Sequence, residues 1–473
     1  MVVPLPQPGK NPPLTPPRRG TSPNLHSPQF PSLEGLGVGS SPSVQITEVT
    51  TGGRGVARVE GKVCFIPGVL PGETATIEII KDRGGFLEAR ATALITTSPN
   101  RITPACPLAF AIPSSSLHTP HSTLPISSCP GCCYQHATYE EEIRIKNQQL
   151  RSTLSRQAGC TEDVLLPPVP SPSALGYRNK LSLHGQIDGK DRRLGYFMED
   201  NLTVLDVPSC PLAVEPINAL LKELHGSPSF RRTLRSDVTI IFRWTQKDGA
   251  LWWRNKAAEN DVWLIESSPL GTLSVPRDSF YQMNPGLAEL LINTVLKRLS
   301  NALPQTVIDL YCGVGVFALA AANLGIPRVI GMDVDGPGLK AAAFNAKKLG
   351  LSSIEWITAP AEKGMIKLKL DQPDQTTLIV DPPRTGMGRQ MTRDILTQRP
   401  ARILYISCAP DTMARDVAWL KEGGYQVQSA QLFDMFPRTA HFESLTELTL
   451  DPASTPSPFR GEGRGEGVHH KEV

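Results

Sequence analysis

Between Thr306 and Leu450 short apolar runs alternate with longer helix-like stretches, and that alternation restricts the region to an open, largely parallel α/β sheet. The run Thr306-Val307-Ile308-Asp309-Leu310 leads through Tyr311-Cys312-Gly313-Val314-Gly315 into an apolar helix beginning near Val316-Phe317. Glycines there let the backbone approach a ligand at the carboxyl edge of the first strand. Val329-Ile330-Gly331-Met332-Asp333 closes the next strand on an acid able to accept both hydroxyls of a ribose. The loop lacks the third glycine of a dinucleotide fingerprint, and a further strand ends in Asp381-Pro382-Pro383, bringing a second acid and a rigid turn to the same pocket. One more apolar run, Ile403-Leu404-Tyr405-Ile406, reads as a buried strand ending in Ser407-Cys408-Ala409-Pro410.

At 473 residues the chain has room for two or three domains, and 40% hydrophobic with 20% charged residues is ordinary for a globular enzyme. A net charge of +3 is too small to argue for nucleic acid by itself, so that inference must rest on motifs. Nine cysteines, an odd number, suit a reducing cytoplasm in which thiols act as nucleophiles or metal ligands. The most apolar stretch, Val307 to Ile326, contains glycines and Asp309, which fit strand, loop and helix better than a membrane span. A cytoplasmic, monomeric protein without a membrane segment is expected.

Five sections follow one another. Residues 1–43 and 452–473 are rich in Pro, Ser and Gly without hydrophobic period and read as disordered tails. Residues 44–100 contain five β-rich runs (Val44 to Val49, Gly55 to Val59, Val63 to Ile66, Thr74 to Ile80, Phe86 to Ala93) separated by glycine turns, the pattern of a small five-stranded barrel; its six Lys or Arg balance six Asp or Glu. Residues 101–270 form a mixed α+β section with Cys106, Cys129, Cys132 and Cys133, then Cys210, a helix over Thr138 to Gln157, and strand-like runs. A CxxC with further cysteines is metal-like, and four thiolates hold either an iron–sulfur cluster or zinc. Residues 271–451 are the alternating section.

Taken together, Asp381-Pro382-Pro383-Arg384, Ser407-Cys408-Ala409-Pro410 and Asp434-Met435-Phe436-Pro437 through His441-Phe442-Glu443 resemble the RNA uracil-5-methyltransferases. The series Gly53-Arg54-Gly55-Val56-Ala57-Arg58 and Pro67-Gly68-Val69-Leu70-Pro71-Gly72-Glu73 resembles the TRAM module, an OB-like RNA-binding barrel. Cys132-Cys133-Tyr134-Gln135-His136 resembles the cysteine loop of the cluster-bearing members that act on 23S ribosomal RNA. The resemblance implies a class I S-adenosylmethionine domain, RNA as partner, donor contacts from Gln282, Tyr311, Asp333 and Asp381, and a [4Fe–4S] cluster on Cys106, Cys129, Cys132 and Cys210. It also implies Cys408 as nucleophile toward carbon 6 of uracil and Glu443 as the base that removes the carbon 5 proton. The chain departs from the family pattern at Ala409, usually Asn, and at Asp333, usually Glu. The alternatives are a tRNA uracil-5-methyltransferase, whose simpler members lack the barrel and cysteine loop, and a catalytically decayed RNA-binding or assembly factor.

Overall fold

The computed structural model describes residues 41–110, 112, 128–255 and 262–454. The expected tails lie outside the described residues except at 41–43 and 452–454, as does most of the 111–128 insertion.

The first sheet comprises β1 (Ser43–Gln45), β2 (Glu48–Val49), β3 (Arg54–Val59), β4 (Lys62–Pro67), β5 (Thr74–Asp82) and β6 (Phe86–Thr96), in the order β1-β5-β6-β4-β3-β2. The sequence suggests one strand over Val44 to Val49; the structure breaks it in two. Ser43 pairs with Thr76 of β5, while Glu48 pairs with Val56 of β3, so the halves lie at the two edges of the sheet. Between them Ile46 N–H donates to the Glu73 carbonyl at 2.8 Å and Thr47 N–H to the Val56 carbonyl at 2.9 Å, handing the backbone from one edge to the other. Both edges find hydrogen-bond partners in one broken strand, and the barrel closes.

Helix α1 (Tyr139–Ala158) begins where Thr138 Oγ1 accepts from Glu141 N–H at 3.3 Å and ends at Gly159, whose φ of +58° forms a left-handed cap. A second sheet holds β7 (Lys180–Asp188), β8 (Asp191–Phe197), β9 (Val204–Asp206), β10 (Thr239–Thr245) and β11 (Gly249–Arg254), in the order β11-β10-β7-β8-β9. Helices α2 (Glu215–Gly226) and α3 (Pro228–Arg232) accompany it; Ile217, Leu221 and Phe230 join Leu181, Leu183, Ile240 and Phe242 in its core. Trp253 is buried in this sheet, Trp244 packs against its core, and Trp252 is exposed. The hairpin β12 (Trp263–Ser268) and β13 (Gly271–Pro276) leads to α4 (Pro285–Asn301).

The remaining elements are β14 (Thr306–Leu310), α5 (Val316–Asn323), β15 (Arg328–Asp333), α6 (Gly336–Lys348), β16 (Ile354–Thr358), α7 (Ala361–Met365), β17 (Thr376–Val380), α8 (Gly388–Gln398), β18 (Arg402–Ser407), α9 (Pro410–Glu422), β19 (Tyr425–Phe433) and β20 (Glu443–Leu450). They build one sheet in the order β16-β15-β14-β17-β18-β20-β19, parallel through β18 and antiparallel at β20 and β19. Strands β14, β17 and β18 are buried along their whole length, which explains their unbroken apolar runs. Strand order reverses between β14 and β17, the switch point beyond whose carboxyl ends open α/β sheets carry their ligand crevice. No helix among the described residues is long and apolar enough to cross a membrane.

Candidate active site

Tyr311, Asp333, Asp381 and Cys408 all lie at or just beyond the carboxyl end of a parallel strand, so the topology brings them to one edge of the sheet. Beyond β14 the chain turns sharply: Tyr311, Gly313 and Gly315 have φ of +62°, +54° and +74°. A Cβ on Gly315 would lie 2.5 Å from the Trp356 ring, so the glycine meets both a backbone and a packing requirement. Asp333 fixes the loop: its Oδ2 accepts from Gly313 N–H at 2.7 Å and its Oδ1 from Asp335 N–H at 2.8 Å. Each carboxylate oxygen retains a lone pair, and the side chain is only half-buried, so it can still accept from a ligand. Below the loop Asp309 is fully buried; its Oδ2 accepts from Ala318 N–H at 2.9 Å, and burial holds its carboxyl well above the usual range.

Two partners of this pocket were not evident from sequence. The Tyr311 hydroxyl donates to Glu362 Oε1 at 2.9 Å from the first turn of α7, and Trp356 floors the glycine loop. Neither belongs to a spacing motif; only the tertiary packing reveals them. Gln282 is half-buried between Tyr281, whose hydroxyl donates to the Ser267 carbonyl at 3.1 Å, and Asn284, which caps α4 and donates to the Met435 carbonyl at 3.2 Å.

Cys408 immediately follows β18. Ser407 pairs with Ser444, so the antiparallel register sets Cys408 beside Glu443, the first residue of β20. Cys408 is half-buried, and its thiol is pushed up to about 11, first by burial and then by the Glu443 and Asp381 carboxyls, with Arg384 opposing them. Glu443 is 6% exposed, its Oε2 has no hydrogen-bond partner, and burial followed by the Asp381 charge holds it well above the usual carboxylate range. Burial likewise pushes Asp381 up to about 7. A thiol, two carboxyls and the exposed guanidinium of Arg384 thus share one electrostatic environment.

The Ser-Cys-Ala-Pro bend is held by Ser407: its Oγ accepts from Ala409 N–H at 3.1 Å. Ala409 occupies the N-cap of α9 and supplies no side-chain acceptor, which is the bond an asparagine there could provide. Thr412 Oγ1 donates to the Ala409 and Arg384 carbonyls at 3.2 and 2.9 Å, tying the bend to the Asp-Pro-Pro-Arg loop. His441 faces Arg384, Lys146 and Arg178 from a half-buried position, and burial together with those cations lowers it to about 4, so it is neutral at physiological pH.

The thiols of Cys106, Cys129, Cys132 and Cys210 are mutual electrostatic neighbours: Cys210 raises the other three, Cys106 and Cys129 interact, and Cys129 and Cys132 interact. Arg178 lies beside Cys129 and Cys132 and favours their thiolate forms. Among the described residues no three His, Cys, Asp or Glu side chains are spaced as a closed metal cage. The four thiols are therefore gathered but not drawn to coordinating distance. The adjacent Cys133 faces the other way: it packs with Val49, Leu70 and Ile145, and a Cβ on Gly53 would lie 2.5 Å from its Sγ.

Residues 272–450 match the family model described as tRNA (Uracil-5-)-methyltransferase, and residues 37–92 match the TRAM domain. A 23S rRNA (uracil(1939)-C(5))-methyltransferase RlmD of Pseudomonas savastanoi pv. phaseolicola is 28% identical over 442 residues, covering 86% of this chain and 93% of the relative. The enzyme of the same name from Edwardsiella ictaluri is 29% identical over 439 residues, covering 85% and 94%. The crystal structure of Pyrococcus abyssi tRNA (uracil-54, C5)-methyltransferase with S-adenosyl-L-homocysteine shares the fold, with a TM-score of 0.64 at 20% identity over 87% of this chain and 100% of that one. The carboxyl-terminal section of the chain thus carries the match to the uracil-5-methyltransferase family, and a TRAM barrel precedes it.

Proposed function

We propose that the protein transfers a methyl group from S-adenosylmethionine to carbon 5 of a uridine in 23S ribosomal RNA. The observation that carries this reading is the juxtaposition of Cys408 and Glu443 across the β18–β20 ladder, beside the crevice formed by Tyr311, Asp333 and Asp381. The similarity to relatives named for 23S rRNA, which extends through the barrel and cysteine section, favours ribosomal RNA over tRNA.

Carbon 5 of uracil is a weak nucleophile, and addition of a soft thiolate at carbon 6 activates it. Cys408 gives its proton to solvent, its sulfur bonds to carbon 6, and the displaced electron pair moves toward carbon 5. S-adenosylmethionine would supply an electrophilic methyl group to that carbon, its S–CH3 bond breaking to leave S-adenosylhomocysteine. Glu443 then removes the carbon 5 proton, and the released pair re-forms the double bond and expels the Cys408 thiolate. The proton-accepting Oε2 has no protein partner, and a buried carboxylate is a stronger base than a solvated one. Arg384, electrostatically coupled to both Cys408 and Glu443, favours their anionic forms. Asp333 and Gln282 hold the donor, and Tyr311 and Asp381 shape its pocket. Extrusion of the target base costs a few kcal/mol, which contacts from the barrel and central section offset.

The donor set and gathering of Cys106, Cys129, Cys132 and Cys210 fit a [4Fe–4S] cluster, which these four thiolates would hold. The deciding experiment is anaerobic purification with metal and sulfide analysis, followed by incubation with labelled methyl donor and unmodified 23S rRNA or tRNA transcripts. Methyl on carbon 5 of a uridine in rRNA is expected. Transfer to tRNA alone reassigns the substrate, zinc in place of iron reassigns the metal, and no transfer with donor bound overturns the catalytic reading.

A further inference from the structure

Glu443 follows a loop, residues 434–442, whose backbone polar groups are largely held by the amino-terminal half of the chain. Lys146 is fully buried on α1 and donates to Asp434 Oδ1 and Glu142 Oε1, both at 2.7 Å, and to the Phe436 carbonyl at 3.2 Å. The Tyr177 hydroxyl donates to the Pro437 carbonyl at 2.9 Å. Arg438 N–H donates to Glu142 Oε1 at 2.6 Å, and its guanidinium to the Ala137 carbonyl at 2.8 Å. The Arg438 carbonyl accepts from Cys133 N–H at 3.0 Å and Tyr134 N–H at 3.2 Å, the two amides immediately after Cys132.

Arg438 has a φ of +68°, a conformation that a non-glycine residue adopts only when its surroundings impose it. The imposing groups are α1 and the cysteine loop. The carbonyl held by the amides after Cys132 belongs to the strained residue, and the chain then runs through His441 to the base. A change in the path of the cysteine loop is thereby passed on to Glu443 at the edge of the β18–β20 ladder, whereas Cys408 follows β18, which is held on its other side by β17.

We propose that the cysteine loop and α1 form a clamp that positions the catalytic base, with Arg438, Lys146 and Tyr177 as positioning residues, so that metal loading of the four thiols sets the geometry of proton removal rather than of thiolate attack. The proposal rests on the functional reading above; its first test depends on the metal reading and is independent of methyl transfer. In full-length protein stripped of metal by chelator under reducing conditions, amide exchange in residues 434–444 rises at least about tenfold over the loaded form. Exchange in residues 309–317 and affinity for S-adenosylhomocysteine stay unchanged. Equal protection of 434–444 in the loaded and stripped forms overturns the clamp, whether or not the protein methylates RNA.

The second test uses Tyr177→Phe, which removes one hydroxyl and little volume, and Lys146→Met with Lys146→Arg as its conservative partner. Tyr177→Phe lowers kcat by about tenfold to a hundredfold at unchanged KM for the donor, and the covalent RNA adduct accumulates because attack outruns proton removal. Lys146→Arg recovers part of what Lys146→Met loses. Loss of adduct in parallel with kcat, or an unchanged kcat in Tyr177→Phe, overturns the assignment. Absence of methyl transfer by the wild-type protein instead removes the functional reading, leaving the exchange result to judge the clamp.

Discussion

Ser407 and Ser444 oppose each other in the antiparallel ladder between β18 and β20, and the Ser444 hydroxyl donates to the Ser407 carbonyl at 3.3 Å. This pair carries no chemistry, yet it fixes where the chemistry is: Cys408 and Glu443 flank it on the outer side and are therefore neighbours. A shift of one residue in that register would turn every side chain of β20 to the opposite face and remove the carboxylate from the thiol.

Replacing Cys408 by alanine is expected to leave S-adenosylhomocysteine binding intact and abolish both methyl transfer and any RNA adduct that survives denaturing electrophoresis. Normal turnover in this variant would sink the covalent mechanism.

For Glu443→Gln the expected outcome differs. Thiolate attack and methyl transfer proceed, proton removal is slowed by about a hundredfold or more, and the methylated adduct accumulates. Its absence with RNA binding preserved assigns the base elsewhere.

The elevated Cys408 thiol gives a definite pH signature in the free protein. A group raised to about 11 is almost entirely thiol at neutral pH, so its thiolate fraction grows about tenfold per pH unit below that value. Alkylation of Cys408 by iodoacetamide, mapped by mass spectrometry, is expected to accelerate continuously from about pH 7 to about pH 10. Because the Glu443 carboxylate raises the thiol, Glu443→Gln moves this profile to lower pH.

Asp333 accepts two backbone amides and remains open toward the crevice. Asp333→Ala removes a charged acceptor worth roughly 1.5–3 kcal/mol, so calorimetry is expected to find S-adenosylhomocysteine binding weaker by about tenfold to a hundredfold. Unchanged affinity places the donor outside this crevice.

Gly315→Ala meets two obstacles, a φ of +74° and the Trp356 ring. Chemical denaturation is expected to show a loss of about 1–3 kcal/mol, with donor affinity falling alongside it.

By itself the sequence determined the alternating α/β section and the glycine loop, features written in local physics: apolar runs buried on both faces and glycines at positive φ. The cysteine and glutamate that end up together were marked by the resemblance to the uracil-5-methyltransferases rather than by a local signal. The sequence also indicated the helix over Thr138 to Gln157, because charged and apolar residues at a helical period are a local signal. Three things were left to the tertiary structure. The break at Ile46–Thr47 follows from the need to pair both barrel edges, a requirement no single strand reveals. Cys132 turns toward Cys129 and Cys210 while Cys133 packs against Gly53, a choice made by the neighbouring barrel rather than by the cysteine spacing. The network of Glu142, Lys146, Asp434 and Arg438 joins segments 288 to 296 positions apart, and nothing local in the sequence pairs them. Only folding removes them from water, and a buried charge persists there because an opposite charge from a distant segment meets it.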